Sequence, residues 1–262
     1  AVALKPNFAE AHNNLGVSLK ESGMLVEAEK SIRRAIALKP DYADAYSNLG
    51  WIIADKGDFE GAKKVLEKAL KIKPNSPDAL QNLGTTLLKE GRAQEAIKYY
   101  EKAILLNPEC SDLRQFLGAA LSENGDFEAA EASLNMAVNI DPYCAEAHRN
   151  LTRFKKYSAG DPHLKQMLSL LAQDELDAES RCHLYFALAK AFEDLCDYAS
   201  SFGYLTKGNS LRKKSLGYNA IKEELVFDEV KKASHVIKEN TIPLLKRWNG
   251  PIPIFIVGMP RS

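Results

Sequence analysis

Little in this sequence would support a membrane span, a metal centre or a disulfide framework. No apolar run approaches the roughly 20 residues of a spanning helix, and no cleavable leader is visible near Ala1. Membrane insertion and a membrane partner are therefore not expected, and the expected location is cytoplasmic. Cysteine is sparse, four among 262 residues, and none sits at the paired spacings of a zinc site. Cys110 and Cys144 occupy equivalent places one period apart, where neighbouring helices would lie about 8–10 Å from each other, beyond the roughly 7 Å between Cα atoms that a disulfide tolerates. A reduced, intracellular chain without metal is the simpler reading. Net charge is absent too, 35 Lys and Arg balancing 35 Asp and Glu. From Lys207 onward eleven basic residues face five acidic ones, but no stacking aromatics accompany them, so nucleic acid is not an expected partner.

What the sequence has in abundance is repetition. A shift of 34 residues carries Pro6 onto Pro40, Pro74, Pro108 and Pro142, and Leu15-Gly16 onto Leu49-Gly50, Leu83-Gly84 and Leu117-Gly118. The same shift aligns Gly23, Gly57, Gly91 and Gly125, then Ala28, Ala62, Ala96 and Ala130. Ala1 aligns with Ala35, Ala69, Ala103 and Ala137, so the chain is expected to begin inside a unit, with the true N-terminus missing.

Within the unit Ala43–Ser76, residues Tyr46, Leu49, Gly50 and Ile53 share one face of a first helix. Gly57 ends that helix by adopting a left-handed backbone, and Asp58 caps the next. Ala62, Leu66, Ala69 and Leu70 form the buried face of a second helix that Pro74 stops. Small residues mark where two helices touch. A lone pair of this kind leaves its apolar face uncovered, so pairs must stack into a curved solenoid with a concave inner surface.

This 34-residue unit resembles the tetratricopeptide repeat over about the first 145 residues. The expected fold is all-α, a right-handed superhelical solenoid of helix-turn-helix units with a short C-terminal strand-like tail. Residues 1–8 read as the remnant of a preceding repeat, 9–144 as four repeats and 145–215 as degenerate repeat-like helices. Residues 216–250 read as a capping helix and linker, and 251–262 as the start of a further domain. In the degenerate part, a first helix over 145–157 has Thr152 where glycine should be, and Asp161-Pro162 restarts a helix to about Gln173. A pair over about 177–195 and 198–213 follows, with Leu188, Phe192, Phe202 and Leu205 as its expected buried positions.

The tail changes character. Ile252 to Val257 is an apolar, β-branched run that reads as a strand, and Gly258-Met259-Pro260-Arg261-Ser262 places a glycine, a cation and a hydroxyl where an anion-binding turn would open. It lacks the Walker lysine. The stretch resembles the start of the phosphosulfate loop of sulfotransferases that use 3′-phosphoadenosine 5′-phosphosulfate (PAPS). Residues 183–194 with Gly208-Asn209 are similar to the segment between repeats and catalytic domain in bacterial tetratricopeptide-repeat sulfotransferases, with Ala189 where that family has glycine. By this resemblance Gly258, Pro260, Arg261 and Ser262 would belong to the PAPS loop of a parent enzyme; the other reading of the four is an exposed tail. The rest of such a site would lie beyond Ser262, so no catalytic residue, no bound cofactor and no transferase activity are expected of this chain. An unpaired run at 252–257 would be a sticky edge, expected to pack into a groove, to pair with another copy or to be disordered.

Binding is expected in the groove lined by first helices. Asn14, Asn48, Asn82 and Asn150 precede the recurring leucine, with Phe116 in the remaining unit. A ladder of amides can grip the backbone of an extended polypeptide through donor and acceptor together, and it resembles the asparagine ladder of O-linked N-acetylglucosamine transferase. The repeat consensus, which favours asparagine at this position, explains the same residues. Trp51, Gln81, Gln115, Arg149 and Arg153 would flank the ladder, with Trp51 as anchor. Glu10, Asp44, Asp78, Asp112 and Glu146 are first-turn acids that answer the helix dipole. His12 and His148 read as helix-packing residues, and His163, His183 and His235 have no ligand at metal spacing. Two functions follow: a scaffold that holds a polypeptide, as the front half of a PAPS-dependent sulfotransferase, or a free-standing adaptor in a multiprotein assembly.

Overall fold

A computed structural model describes residues 7–217. The chain divides into two compact units, Ala1–Arg212 and Lys213–Ser262. The described residues form twelve helices and no strand. Four antiparallel pairs come first: α1 (Ala9–Glu21) with α2 (Leu25–Leu38), α3 (Ala43–Asp55) with α4 (Phe59–Ile72), α5 (Pro77–Lys89) with α6 (Ala93–Leu106), and α7 (Ser111–Asn124) with α8 (Phe127–Ile140). Then come α9 (Ala145–Leu151), α10 (Pro162–Leu171), α11 (Ala178–Asp194) and α12 (Tyr198–Ser215). The expected helix after residue 218 and the expected strand at 252–257 lie outside the described residues.

The period is built into the packing. Ala28, Ala62, Ala96 and Ala130 are all fully buried, as are Ala35, Ala69, Ala103 and Ala137. Between them Ile32, Leu66, Tyr100 and Leu134, also fully buried, press onto the glycines of the first helices. A Cβ on Gly50 would run into Leu66 Cγ and lie 2.7 Å from Cδ2, and one on Gly84 would lie 2.9 Å from the Tyr100 ring. Glycine is thus required where the two helices of a pair touch. Burial pushes the Tyr100 hydroxyl up to about 12, and it pairs with Thr85 Oγ1 at 3.0 Å. A serine hydroxyl ties the first and fourth pairs in the same way: Ser31 Oγ donates to the His12 carbonyl and Ser133 Oγ to that of Arg114, each at 2.8 Å.

Turn chemistry follows the sequence. Gly57 has φ 88°, its amide bonds the Ala54 carbonyl, and the Asp58 carboxylate accepts from the Gly61 amide at 2.8 Å. Within the first unit the first helices touch one another, α1 to α3, α3 to α5, α5 to α7 and α7 to α9, whereas successive second helices have no comparable approach among the described residues. The first helices therefore line the inner side of this stack.

Three expectations need correction. Leu15 is 41% exposed where Leu49 is 2% exposed, because no described helix precedes α1 to cover it. The helix expected over 145–157 stops at Leu151. Thr152 turns its hydroxyl back to the Arg149 carbonyl at 2.7 Å, and the amides of Arg153 and Phe154 reach only three residues back, so the helix tightens and ends. Phe202 and Leu205 are exposed, 72% and 39%, since α12 buries Ser201 and Gly208 instead, Gly208 lying under the Phe186 ring. Beyond α10 the expected pair over 177–195 and 198–213 stands as α11 and α12. Cys196 stands at φ 59°, its amide bonds the Glu193 carbonyl and the Asp197 amide bonds that of Phe192, while Asp197 caps Ser200. The α11–α12 turn is the Gly57 turn with cysteine in place of glycine.

Candidate functional site

The inner face is a row of first-helix positions one period apart. Asn48, half-buried, donates its side-chain amide to Asn13 Oδ1 at 3.0 Å, and Asn82 donates to Ser47 Oγ at 3.0 Å and to the Ser47 carbonyl at 3.3 Å. Each asparagine thus bonds the residue one position earlier in the preceding repeat. Their Oδ1 atoms accept no hydrogen bond among the described residues. Asn14 is exposed, Asn150 is half-buried, and Phe116 stacks on Tyr100 with centroids 5.9 Å apart. The sequence anticipated amides offering donor and acceptor together; at Asn48 and Asn82 the donor is engaged inside the stack.

The flanking residues divide. Trp51 is half-buried beneath Lys20, whose ammonium lies 4.6 Å from the ring centroid. Gln115 is buried, only 3% exposed, so it sits in the stack rather than on open surface. Lys89 and Asp55, at the ends of α5 and α3, pair across the face at 3.0 Å. Of the first-turn acids, Glu10 pairs with Lys39 at 3.3 Å and Asp44 with Lys73 at 3.5 Å; the Glu10 carboxyl is held below its usual range by its own backbone hydrogen bond first and by Lys39 second.

Farther along, Arg149 on α9 donates from Nη1 to His183 Nδ1 at 3.5 Å and lies over the Phe186 ring, 4.9 Å from its centroid. Burial lowers the His183 imidazole, consistent with a neutral ring that accepts from arginine. Arg153 is exposed at the rim of a cavity of about 380 Å³ that Ser122, Phe127, Glu128, Glu131 and Phe154 also line. This cavity opens where α9 is too short to cover the start of α8. A second cavity of about 470 Å³, lined mainly by Leu70, Leu80, Tyr99, Leu105 and Leu106, lies among α4, α5 and α6.

One buried cluster was not anticipated. His148 Nδ1 meets His163 Nε2 at 2.7 Å, His148 Nε2 meets the Pro142 carbonyl at 2.9 Å, and Tyr157 hydroxyl meets His163 Nδ1 at 2.7 Å. His148 is fully buried, His163 is 8% exposed and Tyr157 is 3% exposed. Their sequence separations match no helical spacing, so no periodic signal points to the trio. The Arg149–His183 contact, by contrast, spans 34 residues, and the repeat period alone would have found it.

Cys110, Cys144, Cys182 and Cys196 are free thiols. Among the described residues no group of three His, Cys, Asp or Glu is arranged to hold a metal, and no helix is long and apolar enough to cross a membrane. Gly258, Pro260, Arg261 and Ser262 lie outside the described residues.

Family models described as tetratricopeptide repeat match residues 9–42, 41–104 and 87–154, together running over more than half of the 262 residues. No curated protein matches the chain in sequence. Among solved structures, PilF of Pseudomonas aeruginosa is similar at a TM-score of 0.60 with 21% identity, covering 84% of this chain and 97% of its own. PilW, a widely conserved type IV pilus biogenesis factor, is similar at a TM-score of 0.61 with 20% identity, covering 83% and 98%. At these identities the likeness is one of fold.

Proposed function

The chain belongs to the tetratricopeptide-repeat proteins, and from that premise we propose that it is a scaffold whose first-helix face holds an extended polypeptide. One observation carries the reading: Asn48 and Asn82 are each locked by their amide to the preceding repeat, which leaves the side-chain carbonyl oxygen of these two residues without a hydrogen bond among the described residues. Such a row accepts backbone N–H groups from a strand-like segment without selecting its side chains. Trp51 supplies the anchor, an aromatic face beside that row. Asn14 and Asn150 extend the row at either end. The likeness to PilF and PilW supports the scaffold and not a role in pilus assembly.

The test is a pull-down of immobilised peptide libraries with the chain and its Trp51→Ala variant, which removes the anchor and its Lys20 contact but none of the asparagine hydrogen bonds between repeats. Loss of captured peptides in the variant supports the groove. Equal capture by both places the binding elsewhere and sinks this reading.

Residues 251–262 extend the proposal. On their resemblance to a phosphosulfate loop we read them as the opening of a sulfotransferase domain, to which the repeats would present a polypeptide acceptor, with PAPS as donor and Gly258, Pro260, Arg261 and Ser262 in its loop. The alternative is an adaptor with no linked enzyme. Sequencing the gene past Ser262 and assaying the full product for sulfate transfer from PAPS separates the two: a sulfotransferase domain with activity supports the first, and a stop codon after Ser262 rejects it. Self-association through 252–257 is read from the same tail, and solution mass with and without residues 251–262 tests it.

A further inference from the structure

One position on the second helix of each pair is tied by charge to the end of the next first helix. In the first pair Glu29 on α2 bonds Lys56 at the end of α3, and in the second Lys63 on α4 bonds Glu90 at the end of α5, at 2.9 Å. The same position is Ile97 in the third pair and Glu131 on α8 in the fourth, where the period puts Ser158 in the place of Lys56 and Glu90. α9 stops after 7 residues where α3 and α5 run for 13, so it is already over when the chain reaches that place. Glu131 is half-buried, and no cation of the described residues comes within ion-pair distance of it.

The short helix leaves the cavity of about 380 Å³ at the α7–α8 turn, at the small end of the roughly 300–1,000 Å³ of ligand pockets. Phe127 and Phe154 form an aromatic wall, with centroids 6.0 Å apart and planes tilted by 41°. Phe127 is 60% exposed, whereas Phe59 at its position in the second pair is half-buried and Ala93 in the third is buried. Ser122 lines the cavity with only 8% of its surface exposed, and its hydroxyl makes no hydrogen bond among the described residues. Lys20, Ala54 and Leu88 stand at its position in the other pairs, so this hydroxyl belongs to the fourth pair alone. Glu128 adds a second carboxylate, and Arg153 at the rim pairs with neither glutamate.

The chemistry of the wall selects a cation. Aromatic faces attract positive charge, a half-buried carboxylate without a counter-ion gains from one, and a buried hydroxyl oxygen can accept an N–H. A guanidinium suits all three, because it is planar, stacks on rings and carries five donors. We propose that this cavity takes the arginine side chain of a polypeptide partner, with its guanidinium against Phe127 and Phe154 and its N–H groups on Glu131 and Ser122 Oγ. The guest fills against Glu131 the role that Lys56 has against Glu29. Arg153 repels it and holds the affinity down. The site does not depend on the asparagine row.

The experiment uses the whole chain and short fluorescein-labelled peptides that differ at one central residue, arginine, its neutral isostere citrulline, or glutamate. In anisotropy titrations at low salt the arginine peptide is expected to bind about tenfold more tightly than the citrulline one, and the gap is expected to shrink as salt is raised. Glu131→Gln has no ion pair to lose, so it is expected to abolish the preference and leave the thermal melt unchanged. Phe127→Ala, at an exposed side chain, is expected to weaken the arginine peptide as well. Arg153→Gln is expected to tighten it about threefold. Trp51→Ala is expected to change nothing, which separates this site from the groove. Equal binding of arginine and citrulline peptides, a preference that survives Glu131→Gln, or binding of no peptide overturns the proposal. A preference for the glutamate peptide that Arg153→Gln removes would make the cavity an anion site and overturns it too. Loss of the arginine preference in Trp51→Ala would move the reading of arginine to the groove, which overturns this site and leaves the groove standing.

Discussion

Two buried imidazoles, His148 and His163, stack with centroids 4.9 Å apart and join Nδ1 to Nε2 at 2.7 Å. Their protons follow from the ends of the chain. The Pro142 carbonyl only accepts, so His148 carries its proton on Nε2 and accepts at Nδ1 from His163 Nε2–H, and His163 Nδ1 in turn accepts from the Tyr157 hydroxyl. Both rings are neutral. A proton added to His148 would set two N–H groups face to face. This trio joins α9, the segment after it and the start of α10 by buried hydrogen bonds.

Stability should therefore fall in mild acid. Burial is the largest cause lowering both histidines, His163 to about 4. An unfolded histidine titrates near 6.5. For His163, between those values the unfolded chain binds more protons than the folded one, so its contribution is whole above pH 6.5 and drains away as pH drops toward 4, at about 1 kcal/mol per pH unit; His148, lowered as well, adds in the same direction. Urea melts from pH 7.5 to 5 should show this slope, and His163→Gln should flatten it. A midpoint indifferent to pH over that range would contradict the neutral trio.

Gly50 and Gly203 should respond oppositely to alanine. At Gly50 a Cβ would run into fully buried Leu66, lying 2.7 Å from Cδ2, and overpacking of this sort costs about 1–3 kcal/mol. Gly203, inside α12, has nothing within 4 Å of its added Cβ. There alanine should stabilise by about 0.5–1 kcal/mol through helix propensity. Chemical denaturation of the two variants checks the sign at each site.

Asn48→Ala should destabilise the stack as well as alter the groove. It would leave the Oδ1 of Asn13, a residue only 5% exposed, without the amide that now reaches it at 3.0 Å. An unpaired buried acceptor costs about 1–3 kcal/mol. Asn14→Ala, on an exposed side chain, should fall within about 0.5 kcal/mol of the parent. Equal melting of all three proteins would show that the bridge contributes nothing.

Cys196→Gly should raise stability. Cysteine at φ 59° occupies the place that glycine fills in the turns of the first four pairs, and a left-handed backbone at a non-glycine residue costs on the order of 1 kcal/mol. The gain should appear as a higher midpoint with unchanged cooperativity. A lower midpoint would mean that the thiol itself supports the turn, for instance through its contact with Tyr198.

Much of this protein was legible in its residues because the information is local and repeated. A glycine opposite a large apolar side chain, alanines where helices touch and an Asp after a left-handed turn all act within one 34-residue unit, so the period of the sequence and the period of the packing are the same fact. The Gly57 turn, the Asp161 and Asp177 caps and the fully buried alanines all follow from such short-range rules. The tertiary structure decided what happens where the repetition is broken or meets itself. It decided that Asn48 and Asn82 bond the preceding repeat, because those partners lie 35 residues away across a helix contact. The hydrogen-bonded cluster of His148, Tyr157 and His163 is a three-body arrangement with no period to announce it. Most of all, whether a charge in this chain is spent or available depends on which side chains arrive beside it, and only the packing of α9 against α11 leaves Arg149 between an aromatic ring and a neutral histidine.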